Sequence, residues 1–121
     1  MIKHIYCITR KDGMSAEEFH RTWRDDHGPL VKSFAAAINA VRYVQSHTVM
    51  EDLGESMRAA RGAGPQYDGI TEVWWNSREE LEAGFASEAG QIAAKALLED
   101  ESRFIEFSKS RLFVTEEHEV F

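Results

Sequence analysis

The chain has 121 residues, one cysteine and 43% hydrophobic residues, the size of one compact domain with one core. Its formal net charge is −7, with nine Lys/Arg against eight Asp/Glu over residues 1–61 and five against thirteen over 62–121. An acidic domain with no basic run repels phosphate backbones, one cysteine excludes a disulfide framework or a four-cysteine metal site, and no apolar run approaches the roughly 18 residues of a membrane span.

We therefore expect a cytoplasmic protein that binds neither nucleic acid nor membrane. Residues 2–9 are rich in β-branched and aromatic types and predict a strand. Tyr6 and Ile8 point one way, Ile5 and Cys7 the other. Lys11-Asp12-Gly13 predicts a turn. Ser15-x-x-Glu18 has the spacing of a reciprocal cap and predicts a helix start. Phe19, Trp23 and Leu30 recur near helical spacing as a buried stripe, and Gly28-Pro29 predicts a break or restart. Residues 30–38 predict a second helical piece.

Residues 41–49 predict the next strand, with Tyr43, Gln45 and His47 on one face. Residues 50–68 form a long connection with a short helix around Leu53, Met57 and Ala60. Residues 69–75 predict a third strand. Ser77-x-x-Glu80 repeats the capping signal before a helix with Leu81, Phe85, Ile92 and Ala96 on its apolar side, broken near Gly90. A helical turn over 100–107 precedes a last strand at 110–116.

The order β-α-β-β-α-β is the ferredoxin-like pattern, an α+β fold with an antiparallel four-stranded sheet covered by helices on one face. Val44, Val73, Trp75, Ile5 and Cys7 form the set assigned under the helices. Tyr6, Tyr43, Gln45, His47, Glu72 and Trp74 form the opposite set, mixed enough in polarity to need a second sheet across a lined cavity. We accordingly expect a homodimer, in which a twofold pairing buries the same face of both copies.

Several segments resemble the EthD-domain family of dimeric α+β barrel proteins. They are Phe19-His20-Arg21-Thr22-Trp23 with Asp26-His27-Gly28-Pro29-Leu30-Val31, Arg42 to His47, Tyr67 to Trp75, Asp100 to Ile105, and Glu116-Glu117-His118. The Trp-x₃-His-Gly-Pro-Leu piece is the most specific. The resemblance implies a single dimeric α+β barrel domain over 1–121, whose interior holds a small hydrophobic or aromatic ligand. It also implies a link to ether degradation beside an oxygenase system. The same fold carries cofactor-free oxygenases, isomerases and decarboxylases, so the resemblance does not fix the chemistry.

Within that frame the catalytic candidates are His27, Glu72 and His47. His27 lies four residues after Trp23 at the helix exit and titrates near neutral pH. Glu72 and His47, read on one sheet face, form an acid–base pair if their strands are neighbours. The substrate-binding candidates are Tyr6, Tyr43 and Trp74, which stack on a flat ligand, Gln45 as a donor to a carbonyl, and Trp23 as a core wall. Each also fits a plainer role: a helix-end histidine, a cross-strand polar pair, or interface packing. His20 and His27 lack the i, i+4 spacing of helical metal ligands, and no metal or cofactor is expected. The leading function is a cofactor-independent oxidoreductase of oxygenase type; the alternatives are a non-catalytic module serving a partner oxygenase, an isomerase or decarboxylase on the same fold, haem binding through His27 or His47, and a purely structural dimer.

Overall fold

A computed structural model describes residues 1–121. Strand β1 is Ile2–Ile8, helix α1 Ala16–Arg21, helix α2 Gly28–Phe34, strand β2 Arg42–His47, helix α3 Glu51–Arg61 and strand β3 Gly69–Trp75. Helices α4 (Arg78–Ala86) and α5 (Glu88–Glu101) and strand β4 (Arg111–Glu116) complete it. The sheet order is β2-β3-β1-β4 and every neighbouring pair is antiparallel. This is the ferredoxin-like arrangement, and no helix is long and apolar enough to cross a membrane.

The caps form where the spacing places them. Ser15 Oγ accepts from the Glu18 N–H at 3.1 Å, and Ser77 Oγ from the Glu80 N–H at 3.1 Å. The helix restarts at Gly28-Pro29, where α2 begins with Pro29 in its first turn, without the break expected as the alternative. Thr22–His27 instead form a π-helical turn, in which the Gly28 N–H donates to the carbonyl of Trp23, five residues back. Proline has no N–H to donate, and one widened turn absorbs that loss without ending the helix. The break in the later helix falls at Ser87, whose Oγ caps the Gly90 N–H at 3.0 Å. Gly90 serves close packing instead: a Cβ there would overlap the Gly84 carbonyl.

The register decides which residues share a face. Tyr43 is opposite Val73, and Val44 is opposite Glu72. Tyr6 is opposite Thr71 and Leu112, whereas Ile5 is opposite Glu72 and Phe113. Residues directly opposite each other point to the same side. Tyr6, Tyr43, Val73 and Trp75 therefore lie under the helices, and Ile5, Cys7, Val44, Glu72 and Trp74 lie on the open face. Both expected sets were mixtures of the two faces. Each strand is half apolar on both sides, so alternation alone leaves its inward face undetermined.

The covered side is not one continuous core. Ile8, Phe19, Trp23, Phe104 and Ile105 pack together at one end, and Ile38, Val73, Trp75 and Ala93 at the other. Trp23 is wholly buried and lies so close to Gly69 that a Cβ there would overlap its ring. Helix α5 faces the sheet with Gly90, Ala93, Ala94, Leu97 and Glu101, while the expected Ile92 is 60% exposed.

Candidate active-site cavity

Between the two clusters lies a cavity of about 300 Å³. Its walls include Ile8 and Trp23 from one cluster and Val73 and Trp75 from the other. Most of the lining is apolar. Its polar members are His4, Tyr6, His27, Tyr43, Thr71 and Glu101. Three lining residues, Phe85, Leu98 and Leu112, are also exposed, so the cavity reaches the surface between α4–α5 and β4 along an apolar rim.

His27 ends the π-helical turn that also carries the buried Thr22 and Trp23. It is 5% exposed, and its Nδ1 lies 2.7 Å from Asp100 Oδ2 on α5. Asp100 Oδ1 accepts from Arg103 at 2.8 Å. Burial lowers the His27 pKa, and the Asp100 hydrogen bond opposes that shift without cancelling it. Burial would raise the Asp100 pKa, but His27 and Arg103 together hold it below the usual carboxylate range. The ground state at neutral pH is thus a neutral imidazole that donates Nδ1–H to a carboxylate. Nε2 keeps its lone pair and has no protein partner.

Burial acts on the other cavity groups in the same sense, against charge. It pushes Tyr6 up to about 12 and His4 down to about 4. It also raises Glu101 to about 7, helped by the charge of Asp100. His4 lies near Trp75, with ring centroids 6.2 Å apart, and its buried Nε2 has no hydrogen-bond partner.

Of the residues expected at the site, Tyr6, Trp23, His27 and Tyr43 line this cavity; Gln45, His47, Glu72 and Trp74 do not. Gln45 stands behind Tyr43. Its Nε2 donates to the Tyr43 hydroxyl at 3.0 Å and to the Trp23 carbonyl at 2.8 Å. His47 Nε2 donates to Gln45 Oε1 at 2.8 Å, which leaves His47 Nδ1 to accept from His20 Nδ1 at 2.7 Å. Gln45, His47 and His20 thus brace the Tyr43 side of the cavity wall from outside.

The expected Glu72–His47 pair does not exist, because the register puts the two on opposite faces. Glu72 accepts instead from Lys3 Nζ at 2.7 Å. Trp74 sits on the same open face, where the Arg42 guanidinium lies 4.6 Å from its ring centroid and its Nε1 donates to Glu117 at 2.5 Å. Cys7, expected under the helices, is also on the open face.

Sequence reasoning missed Asp100, Glu101 and His4. For Glu101 a signal was present. It falls four residues after Leu97 on the small-residue stripe of Gly90, Ala93 and Ala94, where an apolar residue belongs. Asp100 precedes it in the same final turn. His4 gave only the alternation it shares with Tyr6.

No group of three or more His, Cys, Asp or Glu side chains converges in a way that could hold a metal ion. A family model described as EthD domain matches residues 11–108. No curated protein matches the chain. Among solved structures, an EthD family protein from Bacillus halodurans is similar at 15% identity and TM-score 0.65, covering 98% of this chain and 99% of that one. A dimeric protein of unknown function and ferredoxin-like fold from Bacteroides fragilis aligns at 11% identity and TM-score 0.59, over 96% and 95% of the two chains. SnoaB, a cofactor-independent oxygenase from Streptomyces nogalater, aligns at 12% identity and TM-score 0.57, over 98% and 94%. At these identities the structural likeness speaks for the fold.

Proposed function

Since the chain belongs to the EthD-domain family, we propose that it binds a small, flat, largely apolar molecule between sheet and helices and moves a proton there through His27. The observation that carries this reading is the His27–Asp100 pair at the wall of an apolar cavity. Asp100 fixes the tautomer, and the unpartnered Nε2 is a base. Tyr6, Tyr43 and Trp23 supply aromatic walls for a ring.

The reaction class is a cofactor-independent oxidation of oxygenase type. His27 removes a proton from an acidic O–H or C–H of the substrate, and the resulting anion reacts with dioxygen, which is the oxidant. SnoaB, which shares the fold, is a cofactor-independent oxygenase, and the reaction class is taken from that likeness. The protein works as a homodimer through its open face, where Ile5, Val44 and Phe113 present an apolar surface opposite the helices.

The test is dioxygen uptake with a panel of phenols and hydroxynaphthalenes, on the purified protein without added metal or cofactor. His27→Ala should lower turnover by about 10²-fold or more while ligand binding persists. Unchanged turnover removes His27 from the chemistry. Product formation without dioxygen uptake shifts the reading to isomerase or decarboxylase. Binding without turnover by the native protein shifts it to an accessory module that serves a partner oxygenase.

A further inference from the structure

Glu101 is the cavity group without an explanation. It is the last residue of α5 and continues the buried stripe of that helix into the cavity. Its neighbour Asp100 is fully engaged, with His27 at 2.7 Å and Arg103 at 2.7 Å. The Glu101 carboxyl takes part in no hydrogen bond or ion pair within the chain. The cation closest in sequence, Arg103, is turned to Asp100 and, at 3.9 Å, to Asp26. Glu101 is half-buried, and a carboxyl drawn out of water without a partner costs stability unless it stays neutral or meets a ligand.

The titratable groups that share the cavity with it are His27 from the π-helical turn, Tyr6 and His4 from β1, and Tyr43 from β2, and Asp100, next to it on its own helix, adds its charge. Tyr6 and Tyr43 both feel its charge, so the carboxyl lies near the phenols, and it shares the cavity lining with His27. None of these groups is a permanent cation.

We propose that Glu101 is the second proton-handling residue of the cavity, a neutral carboxyl that gives its proton to a ligand oxygen while His27 takes one from the ligand. This rests on the reading of the cavity as the ligand site and names the class of ligand: an uncharged aromatic compound with an enolisable carbonyl. The α C–H proton passes to His27 Nε2, and its electron pair becomes the new C=C bond. The carbonyl π pair moves to oxygen, which receives the Glu101 proton. The ligand leaves this step as its neutral enol, whose acidic O–H carries the proton that His27, once neutral again, removes before the dioxygen step. A carboxylate and an imidazolium remain and return to neutral by proton exchange. Burial favours the neutral acid, which keeps the proton available to about pH 7. Ligands that carry a carboxylate are disfavoured beside the Asp100 charge.

The experiment uses 2-tetralone, an enolisable aromatic ketone, in D₂O under nitrogen, with loss of its α-proton signal followed by NMR. The native protein should speed exchange, with a rate that falls as the pH rises through about 7. Glu101→Gln, which keeps size and hydrogen-bonding capacity, should slow exchange at pH 6 by about 10²-fold and lose that basic limb, with 2-tetralone binding retained. A carboxyl ¹³C signal that titrates near 7 in the ligand-free native protein and is missing from E101Q would support the same assignment. Equal exchange by native and E101Q protein, or titration of that carboxyl in the ordinary glutamate range, overturns the role of Glu101 while the cavity stands. Failure of 2-tetralone to bind the native protein overturns the cavity reading, and the role of Glu101 with it.

Discussion

The two faces of the sheet are built from alternate residues of the same four strands, yet they treat charge in opposite ways. Under the helices, burial moves His4, His27, Tyr6 and Glu101 toward their neutral forms. On the open face the charges persist in pairs. Lys3 is raised by its hydrogen bond to Glu72, and Glu117 is lowered by its hydrogen bond from Trp74. The difference is one of partners. Where helices exclude water, a charge must find a close partner or disappear, and only Asp100 has partners enough to keep one. On the open face opposite charges have each other, as Lys3 has Glu72, so both stay ionised. A cavity of neutral acids and bases can trade protons, whereas a face of fixed ion pairs cannot.

The largest way to break this contrast is to remove the wall that keeps the cavity dry. Trp23→Ala deletes a wholly buried ring and should cost about 3–5 kcal/mol in urea denaturation, a loss that Glu72→Gln on the open face should not approach. If the two variants lose the same stability, the cavity wall is not the structural element described here.

Next come two opposite pH effects from the covered face. Glu101 is raised from 4.5 to about 7 in the folded protein. Its contribution to stability is therefore complete below pH 4.5 and is lost as the pH rises through 7. Glu101→Gln should accordingly gain about 3 kcal/mol over the native protein between pH 4 and pH 8. His4 is lowered from 6.5 to about 4. Its contribution is present above pH 6.5 and is lost as the pH falls through 4, again about 3 kcal/mol, and His4→Phe should flatten that acid limb. Parallel stability–pH curves for native and variant proteins would contradict the burial assigned to these groups.

The smallest effects belong to the open face. Lys3→Met breaks the ion pair with Glu72 and should change stability by less than about 1 kcal/mol. Phe113→Glu puts a charge into the apolar patch proposed to pair two copies. It should turn a dimer into a monomer in sedimentation while leaving the helix content unchanged. A native protein that sediments as a monomer removes the pairing.

The helix caps at Ser15 and Ser77, the bounds of β3 and the order of elements were all legible, because each rests on residues within a few positions of one another. His27 and Tyr6, named from the sequence, both stand in the cavity wall. The pairing of Glu72 with His47 was not real, because two strands that each alternate apolar and polar residues fit equally well with either side inward. At Gly28-Pro29 the residues allowed a break or a restart, and α2 restarts there: a proline forbids one hydrogen bond, but the helix has a wider turn available that does not need it.

The sequence by itself determined the element order, the family, and an imidazole at the end of the first helical segment. These are local or cumulative signals, and the chain carries them before it folds. The tertiary structure alone decided which face the helices cover, and therefore that Glu72 meets Lys3 while Glu101 enters the cavity. It also brought Asp100 to His27 across 73 positions of sequence. Register and burial are collective properties of packed strands and helices, and the acidity of each cavity group follows from its place among them.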